Sequence, residues 1–280
     1  MKLPLLVVKY NESREGFTLL EILVALVMGS IFITAICALI IDQTKSHEDH
    51  QMKVMMQQNG RAALSIITNE LMMAGYSPEQ RSDDGTGRLA TVETAGIDTI
   101  KISYDRNGDG TIKRTSGAAN SYDEQTIYKF DKVKRQIERN NNNNAFLENV
   151  EEFRILYAFD ADDLAAGAPK YGVLESDSSD NTYWAYSSQG NVSLDSVFTL
   201  NNAGQIGNNV SAQPFSEQPS LDRIRAAKIW LLMRSSKKKN KDFKENRPEN
   251  IPGIDVDDLD TDNYAYRLYT TTVKLRNMYY

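Results

Sequence analysis

The residues between Tyr104 and Ile112 have the types and spacing of a calcium-binding loop. Acidic and amide side chains stand at the first, third and fifth positions, and Gly110 follows at the position of the sharp turn. A backbone carbonyl would supply the ligand of the seventh position. Hard oxygen donors of this kind are the ligands that Ca²⁺ prefers. The candidate ligands are Asp105, Asn107, Asp109 and the carbonyl of Thr111.

This loop departs from an EF-hand in two ways. Ser116 stands at the twelfth position, where a bidentate Glu is expected, and the flanking residues are typical of strands rather than helices. The sequence therefore leaves two interpretations open. The loop is either a hairpin that binds Ca²⁺ with a ligand from elsewhere, such as Asp123 or Glu124, or an ordinary Asn-Gly and Asp-Gly turn.

A second candidate site is a cluster of basic residues near the C-terminus. It consists of Lys237, Lys238, Lys239 and Lys241, followed by Lys244 and Arg247. Such a cluster could bind DNA, anionic lipid or an acidic partner. It could also be a solvated loop between two strands, and five Asp residues between positions 255 and 262 could neutralise it. Only Phe243 is interleaved with the lysines, and the net charge of the chain is −6, so nucleic acid is an unlikely partner.

A single charge lies inside a long apolar segment near the N-terminus. Between Phe17 and Ile41 the only charged residue is Glu21. A helix of this length could cross a hydrocarbon core of about 30 Å, at about 1.5 Å per residue. Ionisable residues inside such a helix are rare and are functional candidates. The alternative is that Glu21 lies close enough to the helix end for its carboxylate to reach the lipid headgroups at the membrane surface.

The sequence contains no arrangement typical of an enzyme. It has no glycine-rich phosphate loop, no metalloprotease helix motif and no nucleophile elbow. Both histidines, His47 and His50, precede the predicted globular domain, and the single cysteine, Cys37, lies in the apolar segment. An intramolecular disulfide is therefore excluded, and we expect neither a catalytic residue nor a definite cofactor, calcium being the one candidate.

The elements that carry these residues form an α+β arrangement. From Asp42 to Tyr76, apolar doublets recur at a spacing near 3.6 residues and predict an amphipathic helix that continues the apolar one. Gly60 suggests a bend or a close approach, and Gly75 with Pro78 suggests the helix end.

Period-two patterns predict strands in the rest of the chain. They cover 97–104, 125–130, 133–137, 146–159, 223–235 and 264–277. Residues 160–222 are rich in Asp, Ser, Asn and Gly, which predicts a loop-rich insertion. The expected fold is one long N-terminal helix packed on an antiparallel β-sheet domain over residues 77–280.

The segment Gly16-Phe17-Thr18-Leu19-Leu20-Glu21, followed by the apolar helix, resembles the N-terminus of type IV prepilins. The resemblance implies that residues 1–16 are a leader, that prepilin peptidase cleaves between Gly16 and Phe17, and that Phe17 is then N-methylated. It also implies that Glu21 pairs with the new α-amino group, its own or a neighbour's, during assembly. Segment 17–41 would be the transmembrane and assembly helix, and segment 42–76 would continue it. The leader would carry Lys2, Lys9 and Arg14 against Glu12 and Glu15, and this net charge of +1 weakly favours a cytoplasmic N-terminus.

The run from Gln57 to Leu64, with its continuation from Glu70 to Tyr76, resembles the helix of the PilW family of minor pilins. The segments 227–234 and 271–277 resemble the closing strands of the same family, whereas residues 160–222 carry no resemblance. This implies a pilin fold and a minor pilin, anchored in the bacterial inner membrane with a periplasmic C-terminal domain, that later enters the extracellular fibre.

Three functions follow from these observations. In the first, the chain helps to prime type IV pilus assembly at or near the fibre tip. Its partners would be other minor pilins, the major pilin, prepilin peptidase and the inner-membrane assembly platform. In the second, it is a J-type pseudopilin of a type II secretion pseudopilus, with pseudopilins as partners. In the third, it is a tip module that binds DNA or a surface.

Overall fold

The computed structural model describes ten stretches of the chain. They are residues 16–76, 92–108, 124–140, 145–159, 182–190, 194–200, 206–210, 221–238, 250–254 and 263–275. The chain forms two compact units, Met1–Gln51 and Met52–Tyr280. The predicted calcium ligands Asp109 and Thr111 and the lysines Lys239 and Lys241 lie outside the described residues.

From Leu19 onward, the described part of the first unit is helical. Helix α1 runs over Leu19–Met73, and its segment in the first unit exposes large apolar side chains on every side, among them Leu26, Ile31 and Phe32. By its length and composition, α1 is the one helix among the described residues that could cross a membrane. An apolar surface on all sides of a helix is typical of a membrane span or of a helix buried in an assembly.

Helix α1 ends at Met73, three residues before the predicted end at Tyr76. Gly75 has a φ of 72°, the left-handed conformation that glycine adopts after a helix, as its place in the sequence suggested. The amide of Gly75 donates to the carbonyl of Ser103 at 2.9 Å, and the amide of Asp105 donates to the carbonyl of Tyr76 at 2.8 Å. These hydrogen bonds join the helix end to the strand that precedes the Asp105 loop.

In the second unit, one stripe of α1 packs against the β-sheets. The buried residues of the helix are Met56, Gly60, Ala63, Leu64, Ile67 and Leu71. At Gly60 the helix backbone approaches Tyr269 so closely that a Cβ atom would lie 2.7 Å from Cε2 of the ring. Of the two expectations for Gly60, the close approach is confirmed.

The first sheet is an antiparallel meander in the order β1-β2-β3-β4-β5. Its strands are β1 (Val92–Ala95), β2 (Thr99–Ser103), β3 (Gln125–Asp131), β4 (Gln136–Arg139) and β5 (Ala145–Glu148). The expected strand over 133–137 is wrong at its start, because residues 132–135 form the turn between β3 and β4. The carboxylate of Asp131 accepts the amides of Val133 and Lys134, both at 2.9 Å, and so stabilises that turn.

The second sheet has the order β11-β10-β6-β7-β8-β9, and its pairs are antiparallel. Its strands are β6 (Val150–Phe159), β7 (Thr182–Tyr186), β8 (Ser196–Leu200), β9 (Ile206–Val210), β10 (Ile224–Arg234) and β11 (Tyr266–Lys274), with a short 3₁₀ helix at Leu221–Arg223. The predicted strand over 146–159 is in fact two strands, β5 and β6. Asn149, with a φ of 59°, separates them because a left-handed residue cannot continue a strand.

Strands β7, β8 and β9 lie within residues 160–222, for which the composition predicted loops. Trp184, Val197 and Phe198 are buried there and supply the apolar contacts that a strand requires. The prediction of loops was therefore wrong for these three segments. Each strand is short, and the polar residues between the strands dominate the composition of residues 160–222.

Both faces of the second sheet are covered by apolar side chains. The main core joins α1, the first sheet and one face of β6 and β10, where Phe153, Tyr157 and Ile229 are fully buried. A second core lies on the opposite face around Trp184 and Trp230, and the segment 250–254 contributes Ile251. Burial on both faces explains why apolar residues occupy successive positions in parts of these strands, such as 155–159 of β6 and 229–233 of β10.

Candidate functional site

The predicted cleavage site lies immediately before helix α1. Residues 16–18 are not helical, the helix begins at Leu19, and Phe17 is 85% exposed. A Cβ added at Gly16 would meet no other atom within 4 Å. The bond between Gly16 and Phe17 is therefore accessible and outside the hydrogen-bonded helix, as proteolysis of a peptide bond requires.

Glu21 closes a capping box at the start of the helix. The hydroxyl of Thr18 accepts the amide of Glu21 at 3.3 Å, and the carboxylate of Glu21 accepts the amide of Thr18 at 2.9 Å. The same carboxylate oxygen also accepts the hydroxyl of Thr18 at 3.0 Å. This reciprocal arrangement satisfies two amides that a helix N-terminus otherwise leaves without partners.

The capping box was missed in the sequence, although its signal, Thr-x-x-Glu ahead of an apolar run, is present. In the uncleaved chain, Thr18 supplies the hydrogen-bond donors to Glu21 among the residues that the structure describes. The pairing of Glu21 with an α-amino group applies to the cleaved chain and stays a prediction. Chemically, the exposed carboxylate of Glu21 can pair with a cation.

The predicted calcium loop leaves the first sheet after β2. Asp105 is 2% exposed, and its Oδ1 accepts the amide of Gly108 at 2.6 Å. The guanidinium of Arg106 donates to the hydroxyl of Tyr104 at 2.8 Å and lies 5.3 Å from the centre of its ring. The amide of Tyr104 in turn donates to the carbonyl of Glu124 at 3.0 Å, which brings Glu124 close to the base of the loop, as the hypothesis of an additional ligand requires.

Within the described stretches, no group of three or more His, Cys, Asp or Glu residues is placed to hold a metal ion. Because Asp109 and Thr111 are outside these stretches, Ca²⁺ binding stays a prediction. The hydrogen bond from Gly108 to Asp105 is common to calcium loops and to simple Asx turns, so it favours neither interpretation.

The two described lysines of the basic cluster, Lys237 and Lys238, are exposed. The ring of Tyr264 lies 4.5 Å from the guanidinium of Arg234 and 5.6 Å from the ammonium of Lys238. A cation above an aromatic ring is attracted by the π-electrons of that ring. This attraction holds the side chains of Arg234, Lys238 and Tyr264 together at the end of the second sheet. Sequence reasoning missed Tyr264, because it comes from the opposite side of the loop.

A charged group joins helix α1 to the first sheet. The carboxylate of Glu70 on α1 accepts hydrogen bonds from the hydroxyl of Tyr128 on β3 and from the guanidinium of Arg139 on β4. Tyr128 is fully buried, and burial together with the bond to Glu70 raises its pKa well above the ordinary value. The hydroxyl therefore stays protonated and fixes the helix relative to the sheet.

Comparison with known families agrees with these features. The prokaryotic N-terminal methylation motif matches residues 13–36, which include the predicted cleavage site and the capping box. The family described as type IV pilus-assembly protein W, PilW, matches residues 116–277. The chain belongs to the PilW family. The match spans residues 160–222, so the expectation that this part carries no resemblance was wrong.

Other comparisons add little to the PilW assignment. Among curated protein sequences, none is significantly similar to this chain. A type IV-like pilin from Thermus thermophilus is similar in structure, with 12% sequence identity and a TM-score of 0.35 over 79% of this chain and 97% of that one. Membership of the PilW family, the methylation motif and the long helix on antiparallel sheets confirm a type IV pilin-related protein.

Proposed function

We propose that this PilW-family protein is a minor pilin that helps to prime type IV pilus assembly and enters the fibre at or near its tip. The observation that carries this proposal is the exposed Gly16–Phe17 bond, placed immediately before a helix that exposes apolar side chains on all sides as far as Ile41. Cleavage there would leave Phe17 as the first residue, and its new α-amino group would carry a positive charge.

Glu21 is the residue through which the mature chain would dock on its neighbours. Its carboxylate lies in the first turn of α1, where it is held by Thr18. Transfer of the apolar helix from lipid into a bundle removes water from this carboxylate, and an α-amino group supplies the positive charge that an ionised buried group needs. We infer that the C-terminal domain lies in the periplasm until the chain enters the fibre.

Three measurements test the proposal. N-terminal sequencing of the mature protein should start at a methylated Phe17, and a mature chain that starts at Met1 would contradict the processing step. Deletion of the gene should reduce the number of pili per cell, and an epitope in the C-terminal domain should be detected at fibre ends. An epitope found along the whole fibre would contradict the tip location.

The Glu21→Gln variant tests docking separately from insertion, because it keeps the shape of the side chain and removes its charge. We expect the variant to be processed and inserted but to reach fibres at least about tenfold less often, because losing one partner of a desolvated charge pair costs more than about 1.4 kcal/mol. Thr18→Ala, which removes the cap but not the charge, is the matched control. Loss of protein secretion with normal piliation in the deletion strain would instead assign the chain to a type II secretion pseudopilus.

A further inference from the structure

The sequence contains two Asn-Gly pairs, Asn59-Gly60 and Asn107-Gly108. In such a pair, the backbone nitrogen of the glycine can attack the side-chain carbonyl carbon of the asparagine, because the glycine has no β-carbon to obstruct the approach. Glycine also adopts backbone conformations that other residues avoid. An asparagine amide is therefore lost without an enzyme most readily from this dipeptide, and the structure decides which of the two pairs can react.

The helix protects the first pair. Asn59 lies within α1, and its side chain is exposed, as is that of Asn107, so exposure does not separate the two sites. Helical side chains are directed toward the helix N-terminus, whereas the nitrogen of Gly60 lies on the C-terminal side of Asn59 and is held by a helical hydrogen bond. Gly60 is also buried against the ring of Tyr269. Attack at Asn59 would require the helix to unwind and to leave the sheet.

The second pair lies in a bend outside the regular elements. Asn107 and Gly108 follow strand β2, and both are exposed. Gly108 has a φ of 75°, and its amide donates to Oδ1 of Asp105 at 2.6 Å rather than to a backbone carbonyl. Asp105 is fixed in turn, since its own amide donates to the carbonyl of Tyr76 at 2.8 Å. The backbone at Asn107 can therefore rotate toward an attacking geometry without breaking a helix or a sheet.

The hydrogen bond to Asp105 prepares the nitrogen of Gly108 for attack. The N–H bond lies in the peptide plane, whereas the electron pair that forms the new bond lies above and below this plane, so the acceptor does not block the attack. A carboxylate polarises an N–H bond more strongly than a neutral carbonyl does. Asp105 is only 2% exposed, so water competes little for its carboxylate.

We propose that Asn107 is a site of spontaneous deamidation in which Asp105 accepts the proton of the attacking nitrogen. The nitrogen of Gly108 forms a bond to Cγ of Asn107, and its proton passes to the carboxylate of Asp105. The bond from Cγ to Nδ2 breaks, and Nδ2 takes up this proton and leaves as ammonia. Water then opens the cyclic imide and leaves a carboxylate, on either an aspartate or an isoaspartate. In sum, an amide and water give an acid and ammonia.

The product differs from the original loop by one negative charge. It places a carboxylate at the third position of the predicted calcium loop, where an additional charged ligand strengthens Ca²⁺ binding. The modification goes beyond the proposed function in pilus assembly and does not depend on it.

Mass spectrometry of the incubated protein tests the site. The full-length chain in detergent is kept at neutral pH in heavy-oxygen water, so that each new carboxylate carries a heavy atom, and with EDTA, so that no divalent cation occupies the loop. Peptides are prepared at acidic pH, where this reaction is slow. Conversion should be at least about tenfold faster at Asn107 than at Asn59. Equal rates at the two sites, or faster conversion at Asn59, would overturn the proposal.

Unfolding in urea separates the effect of the fold from that of the neighbouring sequence. In the unfolded chain neither the helix nor the bend remains, so the two rates should become similar. A preference for Asn107 of the same size in urea would assign the reactivity to sequence alone and refute the structural argument.

The Asp105→Asn variant tests the proton acceptor, because it keeps the shape of the side chain and removes the charge. Conversion at Asn107 in the folded variant should be at least about tenfold slower, whereas Asn59 is the internal control and should be unchanged. The urea midpoint of the same sample shows whether the variant is folded. An unchanged or faster reaction at Asn107 would overturn the role of Asp105.

Discussion

Replacing Gly60 by alanine should destabilise this protein, although the same change in a helix usually stabilises it. An alanine Cβ at this position would lie 2.7 Å from Cε2, 3.1 Å from Cδ2 and 3.2 Å from Cζ of the Tyr269 ring. All three contacts are with one ring, so the Tyr269 ring as a whole must move to make room for the Cβ atom. The hydroxyl of Tyr269 also contacts the carbonyl of Met56 at 3.4 Å, so a shift of the ring loses that contact as well.

The size of the effect follows from two opposing terms. Alanine is better than glycine inside a helix by about 1 kcal/mol. Overpacking a core contact costs about 1–3 kcal/mol. We expect a net loss of about 1 kcal/mol in the free energy of unfolding, or a fall in Tm of about 2–4 °C for a domain of this size.

Tryptophan fluorescence during urea unfolding of the full-length chain in detergent measures this effect. The chain has two tryptophans, Trp184 and Trp230, and both lie in the second sheet, so the signal reports the domain. Ser65→Ala, on the exposed face of the same helix, is the matched control and should not destabilise. In a Tyr269→Ala background, Gly60→Ala should become stabilising by about 1 kcal/mol. A stabilising effect of Gly60→Ala in the wild-type background would refute the steric argument.

Three further predictions concern the charged groups of the domain. Glu70→Gln should lower the free energy of unfolding by about 1–2 kcal/mol, since Arg139 and Tyr128 lose a charged acceptor; an unchanged urea midpoint would contradict this. If the Asp105 loop binds Ca²⁺, millimolar Ca²⁺ should raise Tm and EDTA should reverse the rise, whereas Asp105→Asn should abolish both; a Tm insensitive to EDTA would reject the site. Burial raises the pKa of Glu152 above its ordinary value of 4.5, so its protonation favours the folded domain. The free energy of unfolding of the wild type should therefore rise relative to that of Glu152→Gln as the pH falls from neutrality toward 4.5. Parallel plots of unfolding free energy against pH for the two proteins would contradict this.

The features that sequence predicted well are those with local causes. The apolar segment, the helix end at Gly75 and the strands β2, β3, β10 and β11 each follow from composition, periodicity or a single special residue. Gly60 was expected to mark a bend or a close approach, but only the fold brings Tyr269, which is more than two hundred residues away in the chain, next to it. Helix periodicity alone could not separate the buried residues of α1 from the exposed ones, because in a doublet such as Met55 and Met56 one side chain is exposed and the other is buried.

The features that sequence did not predict depend on distant contacts. Strand β7 contains five residues, and its Trp184 is buried only because β6, β8 and the segment 250–254 surround it. Asn149 separates β5 from β6 by its backbone conformation, and no neighbouring Gly or Pro marks this break. The contact between Glu70, Tyr128 and Arg139 likewise joins residues from three elements, and its members are unremarkable in the sequence.

The strand order of the second sheet determines when this domain can fold. Strand β6, at residues 150–159, pairs with β10 at residues 224–234, and β10 pairs with β11 at residues 266–274. The centre of the sheet is thus completed by segments near the C-terminus, whereas helix α1 needs only local contacts and can form first. If the domain crosses a membrane in the order of its sequence, β6 arrives before β10 and stays without its main partner until β10 follows. We therefore expect C-terminal truncations that remove β11 to yield protease-sensitive protein that is still anchored by its helix.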